Sequence, residues 1–162
     1  MYKKLSIIAI LLLFSLLLTG QDGYKAMLEA LYEDTVPLVN PGEVKDKGAI
    51  LLDARSIKEY QVSHIAGARF TDYDSFDANQ LSGIPKDRPI IVYCSVGYRS
   101  ERVGEKLLAA GHKNVYNMYG GIFQWVNEGR PVVNSKEQPT DSVHTYSMEW
   151  SVWLHKGVRV YD

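Results

Sequence analysis

The chain is poor in the residues that build disulfides and metal centres. Its 162 residues include one cysteine, Cys94, which can form neither an internal disulfide nor a cysteine-based zinc site. Four histidines are scattered without the close spacing of a metal-binding pair. The formal net charge is −1 and there is no basic stripe, so nucleic acid is not an expected partner. These absences predict a protein that uses neither a metal nor any other cofactor.

Long apolar runs are confined to the start of the chain. Two lysines precede an almost continuous apolar run over residues 5–18, and Thr19-Gly20 then supply small residues. This order is typical of a secretory signal peptide, and the run is short for a transmembrane helix. Residues 1–20 are therefore predicted to be a signal peptide, with export to the periplasm and no stable membrane span after cleavage. An uncleaved segment would instead tether the protein to a membrane.

Short apolar runs alternate with amphipathic segments along the middle of the chain. Strands are predicted at residues 36–39, 49–53, 89–93 and 114–119, and helices at 24–32, 56–60, 102–110 and 122–128. Such alternation predicts an α/β fold with a mostly parallel sheet, in which ligands bind beyond the carboxyl ends of the strands. We place this domain at residues 21–134.

Residues 135–162 form an aromatic-rich C-terminal extension. It contains two tyrosines and two tryptophans, Tyr146, Trp150, Trp153 and Tyr161. We expect these aromatic side chains to pack on the domain, because aromatic residues usually bury their rings locally. Recruitment of a partner protein is the alternative.

Cys94 follows a predicted buried strand and precedes a predicted helix. At such a turn, backbone N–H groups converge and the helix dipole favours negative charge, which promotes a thiolate nucleophile. Export strengthens this interpretation, since a structural thiol gains little in an oxidising compartment and risks oxidation there. Cys94 is therefore the predicted catalytic residue.

Three segments occur in an order that resembles one known family. They are Leu52-Asp53-Ala54-Arg55 with Glu59-Tyr60 and His64-Ile65-Ala66-Gly67-Ala68, then Cys94-Ser95-Val96-Gly97-Tyr98-Arg99-Ser100, and last Tyr119-Gly120-Gly121-Ile122 with Trp125. From about Val36 to Glu128 the chain resembles a single-domain rhodanese. The resemblance implies a rhodanese-like fold, whose central, mostly parallel five-stranded sheet carries helices on both faces. It also implies a sulfurtransferase that carries sulfur as a Cys94 persulfide.

The predicted substrate-binding residues surround this thiol. The loop can offer N–H donors to an anionic persulfide, Gly97 permits its curl, and Arg99 adds a charged fork suited to an anionic donor such as thiosulfate. The full predicted set is Ser95, Val96, Gly97, Tyr98, Arg99, Ser100 and Arg55. For Arg55 the alternative is a structural ion pair, either with Asp53 or with Glu59 one helical turn away.

Two other functions remain open at this point. Phosphatases and arsenate reductases of rhodanese-like architecture have five residues between cysteine and arginine, whereas four separate Cys94 from Arg99 here, which suits one sulfur atom better than a tetrahedral oxyanion. A persulfide carrier would hand sulfur to one protein partner. The expected partners are a small anionic sulfur donor and a thiol or cyanide acceptor, with a protein acceptor as the alternative.

Overall fold

The computed structural model describes residues 20–161, which divide after Tyr32 into two compact units. The first contains helix α1 (Gln21–Leu31), in agreement with the helix predicted over residues 24–32. Within residues 20–161 no helix is both long and apolar enough to cross a membrane. The predicted signal peptide, apart from Gly20, lies outside the described residues.

A parallel five-stranded sheet forms the centre of the second unit. Its strands follow the order β1-β5-β4-β2-β3, and they are β1 (Leu38–Val39), β2 (Ile50–Asp53), β3 (Arg69–Phe70), β4 (Ile90–Tyr93) and β5 (Val115–Met118). Strands β2 and β4 pair from Ile50 opposite Ile90 to Asp53 opposite Tyr93. All four residues of β4 are buried, because both faces of the central strand are covered. The predicted α/β fold is confirmed, although the two-residue strand β3 was not among the individual strands predicted.

Five helical segments belong to this unit besides the final one. They are a 3-10 turn (Pro41–Glu43), α2 (Ile57–Val62), a second 3-10 turn (Ala78–Leu81), α3 (Tyr98–Ala109) and α4 (Gly121–Asn127). Helix α3 begins four residues before its predicted start, because its N-cap is Gly97, whose backbone is left-handed with a φ of 115°. The loop that carries Cys94 is correspondingly shorter than the sequence pattern indicated.

Helix α3 covers one face of the sheet. Its residues Val103 and Leu107 are fully buried in a cluster with side chains from the strands and their connections: Val36, Leu52, Ala54, Phe76, Ile90, Val92 and Val115. Burial of such side chains contributes about 1.5–3 kcal/mol each. The start of α3 is therefore held firmly at the carboxyl end of β4.

The region from Val132 onward, which includes the C-terminal extension, contains short strands and one helical turn. Strands β6 (Val132–Val133) and β7 (Pro139–Thr140) form an antiparallel pair, whereas β8 (Ser142–His144) and β9 (Val158–Val160) are parallel and flank α5 (Met148–Ser151). Strand β8 packs against α2. Asn127 ties the extension to α4, since its Nδ2 donates to the Trp153 carbonyl (2.9 Å) and its Oδ1 accepts from the His155 N–H (2.7 Å).

Candidate active site

Cys94 lies directly after β4, at the start of the turn into α3. It is 1% exposed, and its Sγ accepts a hydrogen bond from the Gly97 N–H at 3.1 Å. The first N–H groups of an α-helix have no partner within the helix and carry partial positive charge. The thiol therefore lies where the predicted strand-to-helix turn places it, facing the amino end of a 12-residue helix.

Helix α4 holds the carbonyl side of the same loop. The N–H of Ile122 donates to the Cys94 carbonyl (2.9 Å), and the N–H of Phe123 donates to the Ser95 carbonyl (3.1 Å). In a trans peptide the N–H and the carbonyl point in opposite directions. The N–H groups of Ser95 and Val96 therefore point away from α4. Glycine is required at position 121, since its φ is 56° and a Cβ there would lie 2.3 Å from the Cys94 carbonyl oxygen.

A buried polar pair fixes the far end of the loop. The Asn117 Nδ2 donates to the Gly97 carbonyl (3.0 Å), and the Ser100 hydroxyl lies 2.7 Å from the Asn117 Oδ1. The same hydroxyl oxygen lies 3.6 Å from the Cys94 Sγ. A hydroxyl has one proton, and the Asn117 Oδ1 is the nearer acceptor for it. Asn117 is thus a positioning residue that sequence reasoning missed, and the only signal was a polar side chain inside an apolar strand.

Glu59 anchors the loop from α2. Its carboxylate accepts from Arg99 Nη1 (2.8 Å) and Nη2 (2.7 Å) and from the Ser95 hydroxyl (3.0 Å). Burial alone would raise the pKa of Glu59, but the hydrogen bonds and charge of Arg99, the charge of Arg55 and the Ser56 N–H hold that pKa at about 2. Glu59 is therefore ionised. The Ser56 to Glu59 spacing indicates the capping box at the start of α2, but it gives no sign that the same carboxylate also reaches Arg99.

This pairing changes the expected role of Arg99. The end of its guanidinium fork, which we predicted for an anionic donor, is occupied by Glu59 in a bidentate ion pair. Nη2 also donates to the Ser95 hydroxyl (3.0 Å). Arg99 consequently clamps the loop to α2, and its charge is offset by a neighbouring carboxylate.

Arg55, which we predicted to contact substrate, is fully buried, and its part in substrate binding stays a prediction. Arg55 is 0% exposed and is bound to Asp53 through Nε (2.9 Å) and Nη2 (2.7 Å), while Nη2 also donates to the Ser63 carbonyl (2.6 Å). A buried guanidinium is held where a carboxylate and a carbonyl compensate its lost hydration. In this structure Arg55 is paired with Asp53, and Glu59 binds Arg99 instead of Arg55.

The remaining predicted loop residues differ in exposure. Ser95 and Val96 are buried, Ser100 is fully buried, and Tyr98 is 42% exposed beside the guanidinium of Arg102. Within residues 20–161 no group of three or more His, Cys, Asp or Glu side chains could hold a metal ion. A cavity of about 490 Å³ lies elsewhere, along the first half of β2, and is bordered by Trp125 and Pro131; none of residues 94–100 lines it.

This chain is an α/β protein with a buried cysteine between a central parallel strand and the amino terminus of a helix. A loop in that position is suited to stabilising an anion. Residues 41–128 match the family model of the Rhodanese-like domain, which is more than half of the chain. The chain belongs to the rhodanese-like family, and the resemblance seen in its sequence is confirmed.

Relatives of known name include sulfurtransferases. The chain is 35% identical over 91 residues to thiosulfate sulfurtransferase GlpE of Haemophilus influenzae, covering 56% of this chain and 85% of that protein. It is 32% identical over 92 residues to the tRNA uridine(34) hydroxylase of Hamiltonella defensa, covering 54% of this chain but only 26% of that longer protein. The crystal structure of a thiosulfate sulfurtransferase from Pseudomonas aeruginosa superposes with a TM-score of 0.59 at 24% identity, covering 71% of this chain and 23% of that one, which shows the shared fold.

Proposed function

We propose that the protein is a sulfurtransferase that moves a sulfane sulfur from a donor such as thiosulfate to a thiophilic acceptor through a persulfide on Cys94. The observation that carries the proposal is the hydrogen bond from the Gly97 N–H to the Cys94 Sγ, 3.1 Å long, at the first turn of α3. The relative named thiosulfate sulfurtransferase, most of which this chain covers, supports the same reaction class.

The reaction divides into two displacements at sulfur. In the first, the Cys94 thiolate attacks the outer sulfur of thiosulfate, a new S–S bond forms, and the bond to the inner sulfur breaks so that sulfite leaves with its electron pair. In the second, cyanide attacks the terminal sulfur of the persulfide, thiocyanate leaves, and the thiolate is restored. Negative charge stays on sulfur throughout, which is the charge that fixed N–H donors stabilise.

The residues that hold the loop support these two steps. Gly97 donates to the sulfur, Asn117 holds the Gly97 carbonyl, and the Arg99–Glu59 pair fixes the outer wall of the loop. The four residues between Cys94 and Arg99 favour one sulfur atom over a tetrahedral oxyanion, which distinguishes this proposal from a phosphatase or arsenate reductase.

Mass spectrometry of the intact protein tests the proposal. Exposure to thiosulfate should add about 32 Da, the mass of one sulfur atom bound to the nucleophile, and cyanide should remove it. Cys94→Ser should never gain this mass. As a matched control, Cys94→Ser combined with Ser82→Cys moves the only thiol to an exposed turn outside the loop, and it should not load either. Hydrolysis of an aryl phosphate without thiocyanate formation, or equal loading of the relocated thiol, would overturn the proposal.

We also propose that the protein acts after export to the periplasm, on the support of the signal-peptide pattern in residues 1–20. Cell fractionation of the full chain should recover a shortened protein outside the cytoplasm. Recovery of the full-length protein in the membrane fraction would indicate a tether, and recovery in the cytoplasm would contradict export.

A further inference from the structure

The C-terminal extension brings an exposed tyrosine to the active-site loop. The ring of Tyr146 lies over the guanidinium of Arg99, with 5.5 Å between the Arg99 Cζ and the ring centroid. Arg99 lies in the first turn of α3, directly after the loop that carries Cys94, and Tyr146 is 58% exposed. Part of the ring therefore covers the arginine, and the rest faces solvent beside the loop.

The backbone of the extension imposes this position. Tyr146 has a φ of 65°, a left-handed conformation that is costly for a bulky side chain and persists only where the surroundings determine it. Its N–H donates to the His144 Nδ1 (3.0 Å), and the buried Thr145 before it donates its N–H to the Val160 carbonyl (2.9 Å). Strand β8, which ends at His144, packs against the helix that carries Glu59.

The charges around the loop are paired. Glu59 offsets Arg99, and Asp53 offsets Arg55, so these four residues bring no net positive charge to the site. A dianionic donor such as thiosulfate therefore gains little from the general field of the site. The exposed rings of Tyr98 and Tyr146 offer aromatic surface instead.

We propose that Tyr146 is a specificity-determining residue that favours organic sulfane-sulfur donors carrying an aromatic group over inorganic thiosulfate. The proposal rests on the proposed function, since it concerns the molecule that loads Cys94. Thiosulfate remains a donor, but one without a group for the Tyr146 ring to contact.

Thiosulfonates, R–SO₂–S⁻, represent this class of donor. The Cys94 thiolate attacks the terminal sulfur, and an S–S bond forms as the bond between the terminal and sulfonyl sulfurs breaks. The sulfinate R–SO₂⁻ leaves with the electron pair, and Cys94 keeps the terminal sulfur as its persulfide. No external oxidant or reductant takes part.

Two thiosulfonates of equal charge isolate the contribution of the ring. With cyanide as acceptor, kcat/KM is measured for benzenethiosulfonate and methanethiosulfonate, and their ratio is compared between the wild type and Tyr146→Ala. The ratio should fall about three- to ten-fold, the range expected for loss of one aromatic contact. Tyr146→Phe should keep the ratio, because the ring over Arg99 remains. Tyr146→Asn, whose side chain tolerates a positive φ, should lower it as much as Tyr146→Ala does.

Tyr116→Ala is the matched control, since it removes another tyrosine, half-buried in β5, whose ring centroid lies 4.5 Å from the Lys47 Nζ. Its ratio should equal that of the wild type. An unchanged ratio in Tyr146→Ala, or an equal fall in Tyr116→Ala, would overturn the role of Tyr146 while persulfide transfer stands. Failure of both thiosulfonates and of thiosulfate to load Cys94 in the wild type would instead overturn the sulfurtransferase proposal itself.

Discussion

Replacement of Glu59 by glutamine should lower the free energy of unfolding and loosen the active-site loop. Both oxygens of the carboxylate accept hydrogen bonds, from Arg99 and from Ser95. The NH₂ group of a glutamine would replace one of these oxygens and would face an N–H or O–H donor without an acceptor. Glutamine still serves at the third position of a capping box, so the start of α2 is preserved. The change thus removes one charge at a buried site and replaces one hydrogen-bond acceptor with a donor, while the helix keeps its cap.

The pKa of Glu59 sets the size of the effect. A lowering from the ordinary value of 4.5 to about 2 corresponds, at about 1.36 kcal/mol for each pH unit, to about 3 kcal/mol of stabilisation. Because Glu59 is 1% exposed, solvent screening takes little from this figure. Removal of one partner from a buried ion pair costs about 3–5 kcal/mol in proteins generally, which agrees.

The dependence on pH follows from the sign of the shift. The pKa of Glu59 is lower in the folded than in the unfolded protein, so its contribution is complete above about pH 5 and is lost as the pH falls towards 2. Urea unfolding followed by tryptophan fluorescence should show the variant about 3 kcal/mol less stable at neutral pH. The difference should narrow steadily below about pH 4.5.

Glu43→Gln is the control, since Glu43 forms the same kind of capping box with Asn40 in an exposed position. Its unfolding curve should stay close to that of the wild type. Equal effects of the two substitutions, or a Glu59→Gln difference that persists unchanged in acid, would refute the assignment of this energy to the Arg99 pair.

Three further predictions concern the support of the loop. Asn117→Ala should cost about 1–3 kcal/mol, because it removes two hydrogen bonds worth about 0.5–1.5 kcal/mol each, one to the Gly97 carbonyl and one from the Ser100 hydroxyl, and persulfide loading followed by mass spectrometry should slow. Gly121→Ala should abolish loading, because its Cβ would lie 2.3 Å from the Cys94 carbonyl oxygen, whereas Gly83→Ala, which has open space for its Cβ, should load normally. Arg55→Met should lower the urea unfolding free energy by about 3–5 kcal/mol, since it leaves a buried carboxylate unpaired, and unaltered stability would contradict that pairing.

The sequence was sufficient for the α/β class and for the position of Cys94, because both rest on local patterns, although it did not indicate strand β3. The apolar run before Cys94 and the amphipathic segment after it are local patterns that indicate a strand and a helix directly. The partners of the loop are not local. Glu59 and Arg99 lie 40 positions apart, so the nearer Arg55 was the natural candidate to pair with Glu59.

Two other misses have different physical causes. Asn117 lies in a strand, where a polar side chain gives no hint of which loop it reaches. Tyr146 lies between β8 and β9, each of three residues, which are too short to show a period-two hydrophobic pattern. Its approach to Arg99 depends on how the extension folds back along the domain. A resemblance confined to residues 36–128 carries no information about the contact between Tyr146 and Arg99.

The burial of Cys94 has a consequence for the redox behaviour of a protein with one cysteine. A disulfide between two copies would require their sulfur atoms to approach to about 2.05 Å, with the attached carbons on a narrow range of torsions. Each sulfur lies under its own loop, and the residue is 1% exposed, so the bulk of a second copy is kept away. Covalent dimers should therefore not accumulate in air.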